Sequence, residues 1–449
     1  MVNSSNLASK SPELLRRVIA ACVGTIYATF LLETYVELSK LWSYIGFWYR
    51  PPEPTVTWAS IASVTLLSIL LPTRNWTITD FCKWILHFLL FVPALIIPPQ
   101  QGNLPAEYLF ALQIAIWASA AILVVFLQDG KPFKEISVSR RALWQGVSAV
   151  WISSNLAIIF VFYGSMSLVG IEQVYEQRDA AATSLGGGMI VYVMGMMSGA
   201  VNPFLLVIGI KTKKLVLIGC ALIGQLIIYS TLAGKVVLGS TLLIVAVYFI
   251  FSNGKVIYNR VYSGILVLAC AGPWVTVSRA TSGDLISILS DMIYFRILTM
   301  PGVLVGAYSE FFLRYPVTYL SHSLIGRPFS EYPYGEQSIG QVIGLYVTPT
   351  LGRVNNYNAN FIAADGIAGF GHLGIPLIFF VVGIWLWFVS KLIGQQQRAV
   401  SCAMLAPFIV SLADASLFTA MLTGGGGAAA VLLYLHRSTE GGGRSHLVD

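Results

Sequence analysis

RATSGDLISILSDMIYFRILTMPGVLVGAYSEFFLRYPVTYL, residues 279–320, opens the one long polar interruption in an otherwise apolar chain. From Arg279 to Gly374 the sequence carries Asp284, Asp291, Arg296, Glu310, Arg314, His322, Arg327, Glu331, Glu336, Arg353, Asp365 and His372, while the runs on either side are apolar enough for a membrane. No other part of the chain concentrates as much ionisable chemistry. The stretch therefore reads as the working part, and the flanking runs as its housing.

Of 449 residues, 56% are hydrophobic and only 10% are charged, which excludes an ordinary soluble globule and predicts an integral membrane protein. A bilayer core needs about 20 apolar residues per helix. By that measure about twelve spans are expected, near 18–36, 56–72, 81–97, 107–127, 143–164, 186–210, 215–233, 236–252, 261–277, 361–389, 399–416 and 417–435. The first lacks a small-residue cleavage site and is read as a retained helix. Pro93, Pro203, Pro273, Pro376 and Pro407 are expected to kink or shorten spans. All five cysteines fall in apolar runs without metal-ligand spacing and read as packing residues, and no metal site is expected.

Orientation follows from the short connections. Eighteen of the 27 basic residues, from Lys10, Arg16 and Arg17 to Arg437 and Arg444, fall on one side of the twelve-span arrangement. That side is expected to be cytoplasmic, with both termini on it. The net charge of +7 is then mostly a topology signal and gives no support for nucleic acid binding. The expected division is 1–277, nine spans with a small external loop near 165–188; 278–360, a large external loop; and 361–449, three spans and a cytoplasmic tail.

All five basic residues of the long loop, Arg279, Arg296, Arg314, Arg327 and Arg353, are arginine, and the smaller external loop carries Arg178. Arginine offers a rigid fork of donors suited to phosphate and carboxylate, whereas lysine is a hydrated point charge. A segment this long is more than a connection. Within it Leu285–Leu298 reads as an amphipathic helix stopped by Met300-Pro301-Gly302, and Leu304–Leu313 as a short apolar helix ending at Arg314-Tyr315-Pro316. Such pieces can form a surface cap or a lid over a polar cavity. Glu310, Asp365, His322 and His372 are the candidates for a general base, because each lies in this region near arginine. The sequence leaves the choice among them open. Asp414, near the end of the eleventh span, is a weaker candidate for lining the cavity.

The run Phe295-Arg296-Ile297-Leu298-Thr299-Met300-Pro301-Gly302, with Tyr308, Glu310, Phe311, Phe312, Tyr315 and Pro316, resembles the external loop of the oligosaccharide repeat-unit polymerases, the O-antigen and exopolysaccharide polymerases of the Wzy type. So does Asn358-Ala359-Asn360-Phe361-Ile362-Ala363-Ala364-Asp365-Gly366 leading through Gly371-His372 into a span, and Ala233-Gly234-Lys235 resembles their short basic turn. The resemblance implies an all-α polytopic, GT-C-like membrane glycosyltransferase of the bacterial inner membrane, its active site facing the periplasm. Such an enzyme transfers a growing glycan from polyprenyl pyrophosphate to the non-reducing end of a second lipid-linked repeat unit. It also implies substrate contacts from Arg178, Lys235, Arg279, Arg296, Arg314, Arg327, Arg353, Asn358 and Asn360, no cofactor, and a chain-length regulator and a flippase as partners.

Two other functions share parts of this pattern. An O-antigen ligase uses the same donor but transfers to the lipid A core, and wants a basic external surface. Here the arginines of the loop are balanced by Asp284, Asp291, Glu310, Glu331, Glu336 and Asp365, which ranks the polymerase ahead. A flippase would place ionisable groups along the spans at mid-membrane depth, whereas the spans between 186 and 277 hold few.

Overall fold

A computed structural model of the chain describes residues 11–73, 77–126, 131–167, 189–232, 234–252, 257–279, 284–323, 325–349, 356–394 and 398–441. Among them every regular element is helical. In chain order these are α1 Ser11–Trp42, α2 Pro54–Ile69, α3 Ile78–Gln101, α4 Ala106–Phe126, α5 Arg140–Phe162, α6 Ile190–Thr212, α7 Leu215–Leu232, α8 Lys235–Ser252 and α9 Ile257–Ser278. Then follow α10 Met300–Arg314, entered from Asp284–Leu289 through a wide π-type turn at Ser290–Thr299, then α11 Ile339–Val347, α12 Gly374–Ile393, α13 Arg398–Ser411, α14 Leu417–Leu422 and α15 Gly426–Gly441. Nine helices among the described residues are long and apolar enough to cross a membrane, and four shorter apolar helices accompany them. The chain is thus a polytopic membrane protein by length and composition of its helices. Twelve spans were expected, whereas nine described helices meet the length and hydropathy of a span, and one of the nine, Ile286–Arg314, falls in the segment read from sequence as loop.

The chain divides into two compact units. Unit 1 holds residues 1–128, 256–386 and 412–417; unit 2 holds 129–255, 387–411 and 418–449. In unit 2, α13 packs along α8 and α6 along α7. Gly195 and Gly199 let the backbone of α6 close directly on the carbonyls of Thr423 and Gly424. Arg437 donates to the Glu135 carboxylate (3.0 Å), the Leu392 carbonyl (2.7 Å) and the Phe133 carbonyl (3.1 Å), so this basic residue ties α15 to the segment before α5 and to the end of α12.

Unit 1 is built on α10. Every residue from Met300 to Phe312 is buried, so the segment expected to form a surface cap or a lid over a polar cavity lies in the core. The reason lies in two glycines four apart. At Gly302 a Cβ would sit 2.4 Å from the Pro93 carbonyl oxygen, and at Gly306 it would sit 1.6 Å from Gln101 Oε1. Only glycine permits so close an approach of α10 to α3, the small-residue spacing that membrane helices use to pack. Met300-Pro301-Gly302 is accordingly no stop. The boundary falls at Thr299, and Pro301 lies in the first turn of α10, where a missing N–H costs nothing. The Thr299 hydroxyl donates to the Tyr294 and Phe295 carbonyls that the wide turn loosens.

Ends of several helices converge here. Arg279, just past α9, lies over the ring of Trp42 at the end of α1 (5.2 Å), and Trp42 and Phe47 both contact Phe295 at 4.8 Å. Gln101, the last residue of α3, donates to the carbonyls of Gly46 (3.4 Å) and Val303 (3.3 Å). The segment 286–314 is therefore pinned to one end of unit 1 at its start, where Arg279 pairs with Asp291, and again at Val303. Because α10 runs parallel to α3 and passes its last residue, Glu310 and Arg314 lie at that same end. Of the five cysteines, Cys82 and Cys402 are buried as expected for packing residues, but Cys22 and Cys270 are exposed.

Substituting Gly302 tests this packing. Overpacking costs about 1–3 kcal/mol, so Gly302→Ala is expected to lower the thermal unfolding midpoint of detergent-purified protein and Gly302→Leu to lower it further. Gly264→Ala, at a position with nothing within 4 Å, leaves the midpoint in place.

Candidate functional site

Two carboxylate clusters at this end of unit 1 bring together several of the expected residues. The first is centred on Asp365. It lies in a wide turn, Ile362–Ile367, that Asn360 fastens to α10: Asn360 Oδ1 accepts from the Ala363 N–H (3.1 Å) and its amide donates to the Pro301 carbonyl (3.0 Å). Asn360 is fully buried and its side chain is engaged at both ends, so it positions the turn and is not available as a substrate contact, contrary to the expectation. Asn358 is exposed.

Asp365 is 1% exposed. Its Oδ1 accepts from the Ser416 hydroxyl (2.8 Å) and its Oδ2 from the Leu417 N–H (2.7 Å). His322 Nε2 stands 3.7 Å from Oδ1, too far for a hydrogen bond and near enough for an ion pair once the ring is protonated. The other ring nitrogen, Nδ1, is 2.9 Å from Thr318 Oγ1, and that hydroxyl donates to the Ala368 carbonyl (2.9 Å). Assigning the hydroxyl proton to Ala368 assigns the hydrogen to Nδ1 and the lone pair to Nε2. Nε2 is buried and has no hydrogen-bond partner. The arrangement is that of a base whose product cation has a carboxylate waiting beside it.

The backbone before His322 is strained. Tyr319 and Leu320 take φ of 49° and 64°, the left-handed region that side chains disfavour. Main-chain hydrogen bonds from Thr318 to the Ala368 carbonyl (2.7 Å) and from Tyr319 to the Gly369 carbonyl (3.1 Å) hold the turn against that cost. Strain held in place by surrounding contacts is characteristic of functional sites.

The second cluster is centred on Glu310, which is 8% exposed. Its Oε1 accepts from the Tyr346 hydroxyl (2.9 Å) and pairs with Arg314 (3.3 Å), one helical turn on. Its Oε2 is buried with no partner. Burial, aided by the bond to Glu310, pushes the Tyr346 phenol up to about 12, so it remains a donor at neutral pH.

Three of the loop arginines, Arg279, Arg296 and Arg314, are held by carboxylates. Arg279 forks onto Asp291 through Nε (2.9 Å) and a terminal nitrogen (3.0 Å). Arg296 reaches both oxygens of Asp414, at 3.0 and 3.1 Å, and both side chains are half-exposed. Asp414 and Ser416 share one short turn, so Arg296 is linked to Asp365 through it. Arg327 is exposed and makes no ion pair among the described residues. His372 packs edge-on against Tyr108 at 5.6 Å and is half-buried. Lys235 opens α8 in unit 2. Arg178 and Arg353 lie outside the described residues. Among those described, no three His, Cys, Asp or Glu side chains approach closely enough to hold a metal ion. Thr318, Ser416 and Tyr346 escaped the sequence reading. Only Thr318, four residues before His322, had a local signal.

Removing the Asp365 carboxylate strands the Ser416 hydroxyl and the Leu417 N–H inside the protein. Hydrogen bonds to charged groups contribute about 1.5–3 kcal/mol, so Asp365→Ala is expected to destabilise unit 1 by about 3 kcal/mol, measured by thermal unfolding. Asp365→Asn, which keeps one acceptor, costs less. No protein-family model matches the chain, nor does any curated protein or solved structure, so its functional reading rests on the side chains just described.

Proposed function

We propose that the chain polymerises lipid-linked oligosaccharide repeat units, transferring a glycan from polyprenyl pyrophosphate to a sugar hydroxyl of a second lipid-linked unit. The observation that carries this reading is the buried His322–Asp365 pair, set among arginines at one end of an apolar helical unit. In the reaction the bond between the anomeric carbon and the pyrophosphate oxygen breaks, its electron pair leaving with the pyrophosphate. The acceptor hydroxyl oxygen forms the new glycosidic bond, and its proton passes to Nε2 of His322. Asp365, 3.7 Å away, balances the imidazolium that results.

The leaving group needs positive charge, and Arg296 and Arg314 are half-exposed enough to supply it. Asp414 and Glu310 hold these guanidinium groups in place until a pyrophosphate competes for them. Arg279, forked onto Asp291 and stacked on Trp42, is the more firmly committed and is assigned to structure. Among the four base candidates this geometry favours His322, with Asp365 as its partner. The site is assigned to the periplasmic face of a bacterial inner membrane, with both termini cytoplasmic.

Purified protein supplied with lipid-linked repeat units is expected to lengthen their glycan. His322→Ala should slow elongation by about 10²–10⁴-fold, the usual worth of a positioned base, and Arg296→Ala by about 10²-fold or more. An unchanged length distribution with the native chain would sink the reading. Transfer only when lipid A core is added would make the chain a ligase, and movement of labelled lipid-linked sugar without bond formation would make it a transporter.

A further inference from the structure

The aromatic cluster above Glu310 is unused by the mechanism. Phe311, at the end of α10, lies flat against Tyr315, with centroids 4.5 Å apart and planes 25° from parallel. Tyr346 meets Phe311 edge-on at 5.3 Å, and Tyr334 lies 5.5 Å from it. The Tyr334 hydroxyl donates to the Pro316 carbonyl, which fixes the turn carrying Tyr332–Gly335 onto the end of α10. Phe311 is buried, but Tyr315 is 46% exposed. One face of the Tyr315 ring is packed on Phe311 and Tyr346 meets it edge-on at 6.2 Å, yet nearly half of the side chain stays exposed.

A core cluster would leave no such ring open and no polar atom stranded beside it. Here the adjoining Glu310 keeps Oε2 buried and unpartnered, which is unfavourable for any polar atom. Arg314, 58% exposed, pairs with the other oxygen, Oε1, at 3.3 Å. An apolar ring face beside an unsatisfied carboxylate oxygen and a half-exposed guanidinium is complementary to one chemical class. A pyranose offers a flat C–H face to stack on the ring, hydroxyl protons for the carboxylate, and hydroxyl oxygens for the guanidinium. A lipid tail would leave the carboxylate unanswered.

We infer that Tyr315, Glu310 and Arg314 form a saccharide-binding subsite that holds a sugar ring of the lipid-linked glycan, with Glu310 binding hydroxyls and not acting as the base. This deepens, and in that sense rests on, the polymerase reading. The stacked Phe311 and the Tyr346 hydroxyl preorganise the platform, so binding orders little besides Arg314.

The test uses the full chain in detergent and the free oligosaccharide released by mild acid from the same lipid-linked repeat units, observed by saturation-transfer NMR. The native chain and His322→Ala are both expected to transfer saturation to the C–H protons of one sugar face. Tyr315→Ala should weaken binding at least tenfold and Glu310→Gln at least fivefold, while Tyr315→Phe, which keeps the ring, binds within about twofold of native. Matching unfolding midpoints establish that the weakened variants are folded. No saturation transfer with the native chain, or native binding by both Tyr315→Ala and Glu310→Gln, overturns the subsite. Sugar binding that follows this pattern in a chain that elongates nothing leaves the subsite standing and removes the polymerase. Elongation with native affinity in both variants does the reverse.

Discussion

A single carboxylate holds the working end of unit 1 together. Asp365 is withdrawn from solvent, and a buried carboxylate persists only where hydrogen bonds answer it. The Ser416 hydroxyl and the Leu417 N–H supply them from the turn before α14, while His322, from the strained turn after α10, stands 3.7 Å away. Each bond that satisfies Asp365 therefore also fixes a segment. Asn360 completes the arrangement by fastening the same wide turn to the start of α10, whose glycines seat it against α3. Packing of an apolar helix and placement of a proton acceptor are one construction.

The chemistry that follows from this placement depends on which nitrogen of His322 carries hydrogen. Thr318 bears on it, because its hydroxyl lies 2.9 Å from both the Ala368 carbonyl and Nδ1, and accepts from the ring when it donates to the carbonyl. Nε2 is left as a lone pair beside a carboxylate, poised to take a proton and not to give one. The arginines around it are held by carboxylates in ion pairs of differing commitment. Arg279 is locked by a two-point fork, whereas Arg296 and Arg314 use less of their donor capacity and stay half in solvent. The pairing keeps them positioned without a ligand and leaves an exchangeable partner for an anion.

Much of this was legible in the sequence, and the reasons for the rest are specific. Composition and the spacing of apolar runs disclosed the helical membrane architecture, and the density of ionisable groups between Arg279 and Gly374 marked the region that folds into the site. The pairing of Glu310 with Arg314 could be read from their spacing of one helical turn. By contrast, the partners Arg296 and Asp414 are 118 residues apart, and nothing local announces such a contact. Reading Met300-Pro301-Gly302 as a stop failed because proline and glycine have two meanings. Proline in a first turn begins a helix, and glycine four residues from another glycine packs one. The same error put α10 on the surface when it is the core. Asn360 was expected to meet substrate because the resemblance implied it, but side-chain amides close to a turn often spend themselves on its backbone.

The account stands on His322 and Asp365 acting as one unit, and a double-mutant comparison addresses that directly. Elongation rates of the native chain, His322→Ala, Asp365→Asn and the double variant, taken at matched amounts of folded protein, report whether the two losses are shared. If the carboxylate serves only to support the imidazole, the double variant is no slower than His322→Ala alone. If the two losses multiply, the residues act independently and the proposed pair is not the base.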